Sequence, residues 1–170
     1  QMKKAILILA LALGAINLYS QDSTFMYYFT DEMSEVTYYM PSSNLIVANT
    51  ARTKGVKFGF HINDKVEFSF ITAELIGLGS CNEKDKMIIL FEDGSKINLI
   101  SWNDFNCEGR AYFNINAAQK QKLSTIPVKT IRVTNGDTYE SITSSEGYNK
   151  RYFIQSFYCM DNKLFTLLED

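Results

Sequence analysis

The sequence predicts a mostly β protein: a two-sheet antiparallel sandwich, or an open barrel, with one short helix near residues 117–124. Three observations carry that prediction. Apolar and polar residues alternate with a period of two, as in strands with one wet face. The dipeptides Asp93-Gly94 and Asn135-Gly136 are strong hairpin signals, because glycine accepts the positive φ that tight turns require. A single stretch combines a helix cap with good helix formers.

At the N-terminus, Lys3 and Lys4 precede the apolar run Ala5–Ile16. That run is shorter than the roughly 20 apolar residues a spanning helix needs. Its charge, length and polar exit are those of a secretory signal peptide, with cleavage expected near Ser20–Gln21. Residues 21–170 then form one domain. An uncleaved anchor is the competing reading of the leader.

Strands follow at Thr37–Met40 and then as a pair. Val56, Phe58, Phe60 and Ile62 alternate with Lys57, Gly59 and His61; Val66, Phe68 and Phe70 alternate with Glu67 and Ser69. A loop at Asn63, Asp64 and Lys65 would pair Ile62 with Val66, Phe60 with Phe68 and Phe58 with Phe70, all on one face. Further strands are expected at Ala73–Leu78, Met87–Phe91, Lys96–Trp102, Arg110–Ile115, Val128–Thr134, Thr138–Thr143 and Tyr152–Tyr158. Asp93-Gly94 joins the second and third of these strands, and Asn135-Gly136 supplies a second tight turn. Between them, Asn116 and Gln119 form a capping box for a helix over Ala117–Leu123, which Pro127 stops. The spacing of about 8–12 residues between strands favours the sandwich; an α+β fold with the helix covering one sheet is the alternative.

The cysteines offer a geometric test. A two-residue turn at Asp93-Gly94 brings Cys81 and Cys107 nearly opposite each other at the ends of one hairpin, within the slack of a single bulge. A disulfide is expected there, in an oxidising compartment. Three reduced, buried thiols are the alternative. Cys159, beside Phe157, is expected to be a buried thiol outside the bridge.

The 170 residues are 46% hydrophobic and 21% charged, which excludes a disordered or collagen-like chain. Formal net charge is −2, and −4 once the two-lysine leader is removed, so nucleic-acid binding has no electrostatic footprint. A single histidine, His61, excludes multi-histidine metal sites within one chain. No phosphate loop, dinucleotide fingerprint, nucleophile elbow, zinc spacing or calcium loop occurs. No cofactor and no metal is expected, and no catalytic residue is assigned. His61 sits on the wet face of its strand and reads as a solvated surface residue. Asp31, Glu32 and Glu35 read as a solvated acidic turn rather than a calcium site.

The segment Ser101–Phe113 (SWNDFNCEGRAYF) is the most distinctive. It sets Trp102, Phe105, Tyr112 and Phe113 among Asn103, Asp104, Asn106 and Arg110. Aromatic faces beside amide, carboxylate and guanidinium groups suit sugars or peptides. Trp102, Asp104, Arg110 and Tyr112 are therefore the candidate binding residues. Equally, Trp102 and Phe105 could pack against the sandwich end and the disulfide. In the aromatic clusters Met26–Phe29, Tyr38–Tyr39 and Tyr152–Phe153, alternation predicts one member inside and one outside.

From Cys81 to Tyr158, the stretches FEDGSKINL, NDFNCEG followed by AYF, QKQKL, IRV with NG, and YFIQ resemble small secreted proteins of Bacteroidetes-type bacteria. The resemblance implies an exported sheet-built fold. It transfers no functional residue, since those stretches are turn and packing signals and the group carries no assigned activity. The functional expectation is an exported, periplasmic or secreted, non-enzymatic binding module for a protein, peptide or glycan. The alternatives are an exported hydrolase using convergent carboxylates from Asp31, Glu32, Glu35, Glu83, Asp85 and Asp104, and an inhibitor or envelope-structural protein.

Overall fold

Two sheets face one shared core. The computed structural model describes residues 26–41, 44–49, 51, 53–63, 69–79, 81–144, 147–162 and 165–167. The leader read at residues 1–20, and the alternation over 66–68, lie outside them. The strands are β1 (Met26–Asp31), β2 (Val36–Pro41), β3 (Leu45–Ala48), β4 (Gly55–Asn63), β5 (Phe70–Ile76), β6 (Lys86–Phe91), β7 (Lys96–Ile100), β8 (Arg110–Asn114), β9 (Val128–Thr134), β10 (Ser141–Thr143) and β11 (Phe165–Leu167). Helix α1 spans Ala117–Thr125 and α2 spans Tyr152–Asp161.

The larger sheet runs β11-β1-β2-β4-β5-β8, with β3 also paired to β4; the smaller runs β10-β9-β6-β7. Every pairing is antiparallel except β1 with β11. Neither sheet closes into a barrel, so the architecture is the predicted mostly β, two-sheet sandwich. Phe58 and Phe60 of β4, Phe113 of β8 and Ile71 of β5 meet Met87, Ile89 and Phe91 of β6 and Ile131 and Val133 of β9 in one buried cluster. Burial of these alternate positions is the main favourable term in folding.

Helix α1 begins as expected. Asn116 Oδ1 accepts from the Gln119 N–H at 2.9 Å, and Gln119 Oε1 accepts from the Asn116 N–H at 2.8 Å. Each satisfies an orphan donor of the first turn.

Helix α2 corrects the expected strand Tyr152–Tyr158. Its buried residues are Tyr152, Phe153, Ser156, Phe157 and Cys159, a spacing of one helical face. Aromatic residues favour strands in isolation, but packing decides. Phe60 of β4 meets the rings of Phe153 and Phe157 edge-on, with centroids 5.4 and 5.0 Å away. Tyr152 and Phe153 are consequently both buried, against the expectation of one in and one out. Cys159 is buried outside the disulfide, as expected, and burial pushes its thiol pKa up.

Three further corrections concern turns and register. The expected hairpin paired Phe58 with Phe70. In the structure Phe58 faces Ala73, and Phe70 faces His61. The expected strands ending at Phe70 and starting at Ala73 are joined as one continuous β5. The slip of three residues is odd, so it moves Phe70 from the core face to the outer face. The β6–β7 hairpin turns through three residues, Glu92, Asp93 and Gly94, not two: Phe91 donates to Ser95 O at 3.0 Å. Gly94 takes φ +82° there. Asn135-Gly136 opens a loop of four residues, Gly136 to Tyr139, closed by Asn135 N–H on Glu140 O at 2.8 Å. Strands β1, β3 and β11 lie outside the expected set; β1 pairs with β2, β3 with β4 and β11 with β1.

Candidate functional site

The larger sheet turns its polar face outward, and three of its strands build a groove there. Val56, Phe58, Phe60 and Ile62 of β4 point into the core, so Lys57, Gly59 and His61 point out. Ile71, Ala73 and Leu75 of β5 point in, leaving Phe70, Thr72 and Glu74 outside. Ala111 and Phe113 of β8 do the same for Arg110 and Tyr112. Register aligns these residues in rows across the strands. The first row is Lys57, Glu74, Arg110. The second is Gly59, Thr72, Tyr112, and the third is His61, Phe70, Asn114. Together with Asn44 ahead of β3, the outward residues except Asn114 line a groove of about 330 Å³. That is at the small end of ligand-sized sites, which span roughly 300–1,000 Å³.

The charges are unevenly matched. Lys57 Nζ lies 3.6 Å from Glu74 Oε2, a half-exposed pair worth little to stability. The Arg110 guanidinium is exposed and makes no ion pair or hydrogen bond with any described residue. His61 stacks on Phe70, with centroids 4.7 Å apart and planes 13° from parallel. Burial, and then the nearby positive charge of Arg110, hold its imidazole below the ordinary value. His61 is therefore neutral at pH 7 and able both to donate and to accept a hydrogen bond. This corrects its reading as a solvated surface residue.

The aromatic row continues past the sheet edge. Phe70 and Tyr112 centroids are 6.1 Å apart, and those of Tyr112 and Trp102 are 5.5 Å apart. Trp102 is held there by backbone. Its N–H donates to Tyr112 O at 3.0 Å, and the Tyr112 N–H donates to Asn103 Oδ1 at 3.0 Å. The Trp102–Asn103 segment thus caps the free edge of β8 at Tyr112. Trp102 and Phe105 remain 58% and 57% exposed, so neither packs into the sandwich end.

A buried polar knot anchors that segment. The Sγ atoms of Cys81 and Cys107 stand at disulfide-bonding distance. Beside them Asn82 and Asn106 exchange backbone hydrogen bonds of 2.7 and 3.1 Å. The three-residue turn shifts the hairpin register by one, and two extra residues on the outgoing arm restore the meeting of the cysteines. Asp85 is fully buried. Its carboxylate accepts from Asn82 Nδ2 at 2.6 Å and from the Gly136 N–H at 2.6 Å. Asn135 Nδ2 donates to Cys81 O at 2.7 Å. A Cβ on Gly136 would strike the backbone carbonyl of Glu83.

Three of the four candidate binding residues therefore gather: Arg110 and Tyr112 in the groove, Trp102 against Tyr112. Asp104 stands apart in the exposed loop, where its backbone carbonyl accepts from Asn103 and Asn106. Lys57, Phe70, Thr72 and Glu74 are not singled out by the sequence pattern. The signal that finds them is strand register, which the misplaced β4–β5 loop concealed. The carboxylates proposed for a hydrolase do not converge. Asp31 belongs to the β1–β2 turn, accepting from Ser34 Oγ at 2.8 Å and the Met33 N–H at 2.9 Å, which lowers its pKa. Asp85 is sealed in the knot. Among the described residues no three His, Cys, Asp or Glu side chains are grouped to hold a metal ion. No helix among them is long and apolar enough to cross a membrane.

Compared with protein families, curated proteins and solved structures, the chain shows no match to any of them.

Proposed function

We propose that this protein is an exported, non-enzymatic binding module that holds a glycan in the groove across β4, β5 and β8. The observation that carries the reading is the in-register outer face of those strands. Ring faces at Phe70, Tyr112 and Trp102 border hydrogen-bonding groups at Asn44, Thr72 and His61. Sugars present both an apolar C–H face and a ring of hydroxyls, so this mixture suits them.

A peptide is the weaker fit. Extended peptides gain affinity by pairing main chain with a free strand edge. At Tyr112 the β8 edge is already occupied by Trp102 and Asn103, and the groove offers side chains only. Export rests on the leader pattern of residues 1–20 and on the Cys81–Cys107 pair, which needs oxidising surroundings to form and persist.

The test is affinity electrophoresis of the chain through gels carrying defined polysaccharides, with Tyr112→Ala and Trp102→Ala alongside. Retardation of the parent chain by at least one polysaccharide is expected, with about tenfold weaker retention of Tyr112→Ala at an unchanged melting temperature. No retardation by any polysaccharide, or equal retention of all three proteins, overturns the reading.

A further inference from the structure

We propose that the groove is selective for acidic glycans, with Arg110 as the partner of a sugar-ring carboxylate and Tyr112 as the surface under that ring. This rests on the glycan-binding reading above and names the chemical class of its ligand.

Charge complementarity is the first argument. The chain carries 19 acidic residues against 17 basic ones. Yet the groove holds two cations, Lys57 and Arg110, against the single carboxylate of Glu74. Glu74 does not neutralise them equally. It lies 3.6 Å from Lys57, while Arg110 forms no pair with any described residue. The face is locally positive on an acidic protein, and the surplus sits on the guanidinium.

The second argument is the geometry around Arg110. A guanidinium offers a planar fork of donors that matches a carboxylate in two parallel hydrogen bonds. Arg110 and Tyr112 are two residues apart on β8, so both side chains leave the same face in adjacent rows. A ring lying against Tyr112 would carry an exocyclic carboxylate toward the Arg110 row. The ring's hydroxyls then lie over the neighbouring strands of the same face, where Gly59 contributes no side chain and Asn44, Thr72 and His61 contribute polar atoms. His61, held neutral, presents hydrogen-bonding nitrogens there rather than a competing charge.

Isothermal titration with short oligomers of galacturonic, glucuronic and mannuronic acid, each beside its carboxyl-reduced neutral counterpart, tests the proposal. At least one uronate oligomer should bind, its neutral counterpart about 10- to 100-fold more weakly, as expected for the loss of a charge-assisted hydrogen bond. Arg110→Gln should weaken uronate binding by the same factor and neutral-sugar binding far less, and added salt should weaken uronate binding more than neutral-sugar binding. Arg110→Lys should recover part of the loss, since it restores charge without the fork. Arg132→Gln, on β9 of the other sheet, should bind as the parent does. Equal binding of acidic and neutral oligomers, unaffected by Arg110→Gln, overturns the selectivity while leaving the glycan groove standing. Binding of an acidic peptide with none of the sugars overturns both.

Discussion

Two polar regions of this molecule treat their hydrogen-bonding groups in opposite ways. In the knot beside the disulfide, Asp85, Asn82 and Asn135 are fully buried and their side chains bond to one another and to backbone, with Asn82 Oδ1 alone of their polar atoms left without a partner among the described residues. In the groove on β4, β5 and β8, Arg110 is exposed with its donors open, and Thr72 and His61 are half-buried along the same wall. The difference separates structural from available polarity. A buried group left unpaired loses its hydration with no return, so the fold uses such groups internally. A group on the wet face of a sheet keeps water as a partner until a ligand replaces it. The regions are nevertheless connected, since the knot and the disulfide hold the segment that places Trp102 beside Tyr112.

The contrast breaks most visibly at Asp85. Asp85→Ala leaves the Asn82 amide and the Gly136 N–H without their acceptor inside the protein. At about 1–3 kcal/mol for each such donor, the unfolding free energy should fall by about 4 kcal/mol, read from urea denaturation. A loss under about 1 kcal/mol would show that water reaches the knot. The disulfide comes next. Its cysteines are 26 residues apart, so Cys81→Ala with Cys107→Ala should cost about 3.5 kcal/mol in the chain-entropy model. The same denaturation curves check it, and intact mass before and after reduction and alkylation confirms which thiols were protected.

The smallest expected effect belongs to the groove. Because His61 is held below the ordinary imidazole value near 6.5, the unfolded chain takes up its proton first. Stability therefore declines as pH falls through about 6.5 and is unaffected by this group above it. His61→Gln should flatten the melting-temperature slope between about pH 7 and pH 5 by no more than a few degrees. Asp31 and Asp93, whose carboxyl pKa values are lowered by turn hydrogen bonds, act in the opposite region: their stabilisation is lost only below about pH 4. An unchanged slope in His61→Gln would place His61 in open water after all.

Much of this was legible without coordinates. Alternation along Val56–Ile62 names the core and wet faces of β4 because side chains in a strand switch sides at every residue. The capping box at Asn116 and Gln119, and the hairpin around Asp93-Gly94, are written in contacts a few residues long. The cysteine pair follows from that hairpin with only small errors in register. Arg110 and Tyr112 could be picked out because they fall, with Trp102, in one short segment rich in aromatic and polar residues.

What remained hidden depends on partners distant in the chain. Tyr152–Phe157 has the aromatic content of a strand, and it is Phe60 and the space beneath β4 that make it a helix. The position of Phe70 turns on a loop whose length no local signal sets, and an odd slip in register exchanges the faces of a whole strand. The row of Lys57, Glu74 and Arg110 unites residues far apart in sequence, so only the pairing of β4, β5 and β8 could bring it into being. Local chemistry settled which elements this chain can make; long-range packing, which rewards one register over its neighbours by what each buries, settled which side chains meet.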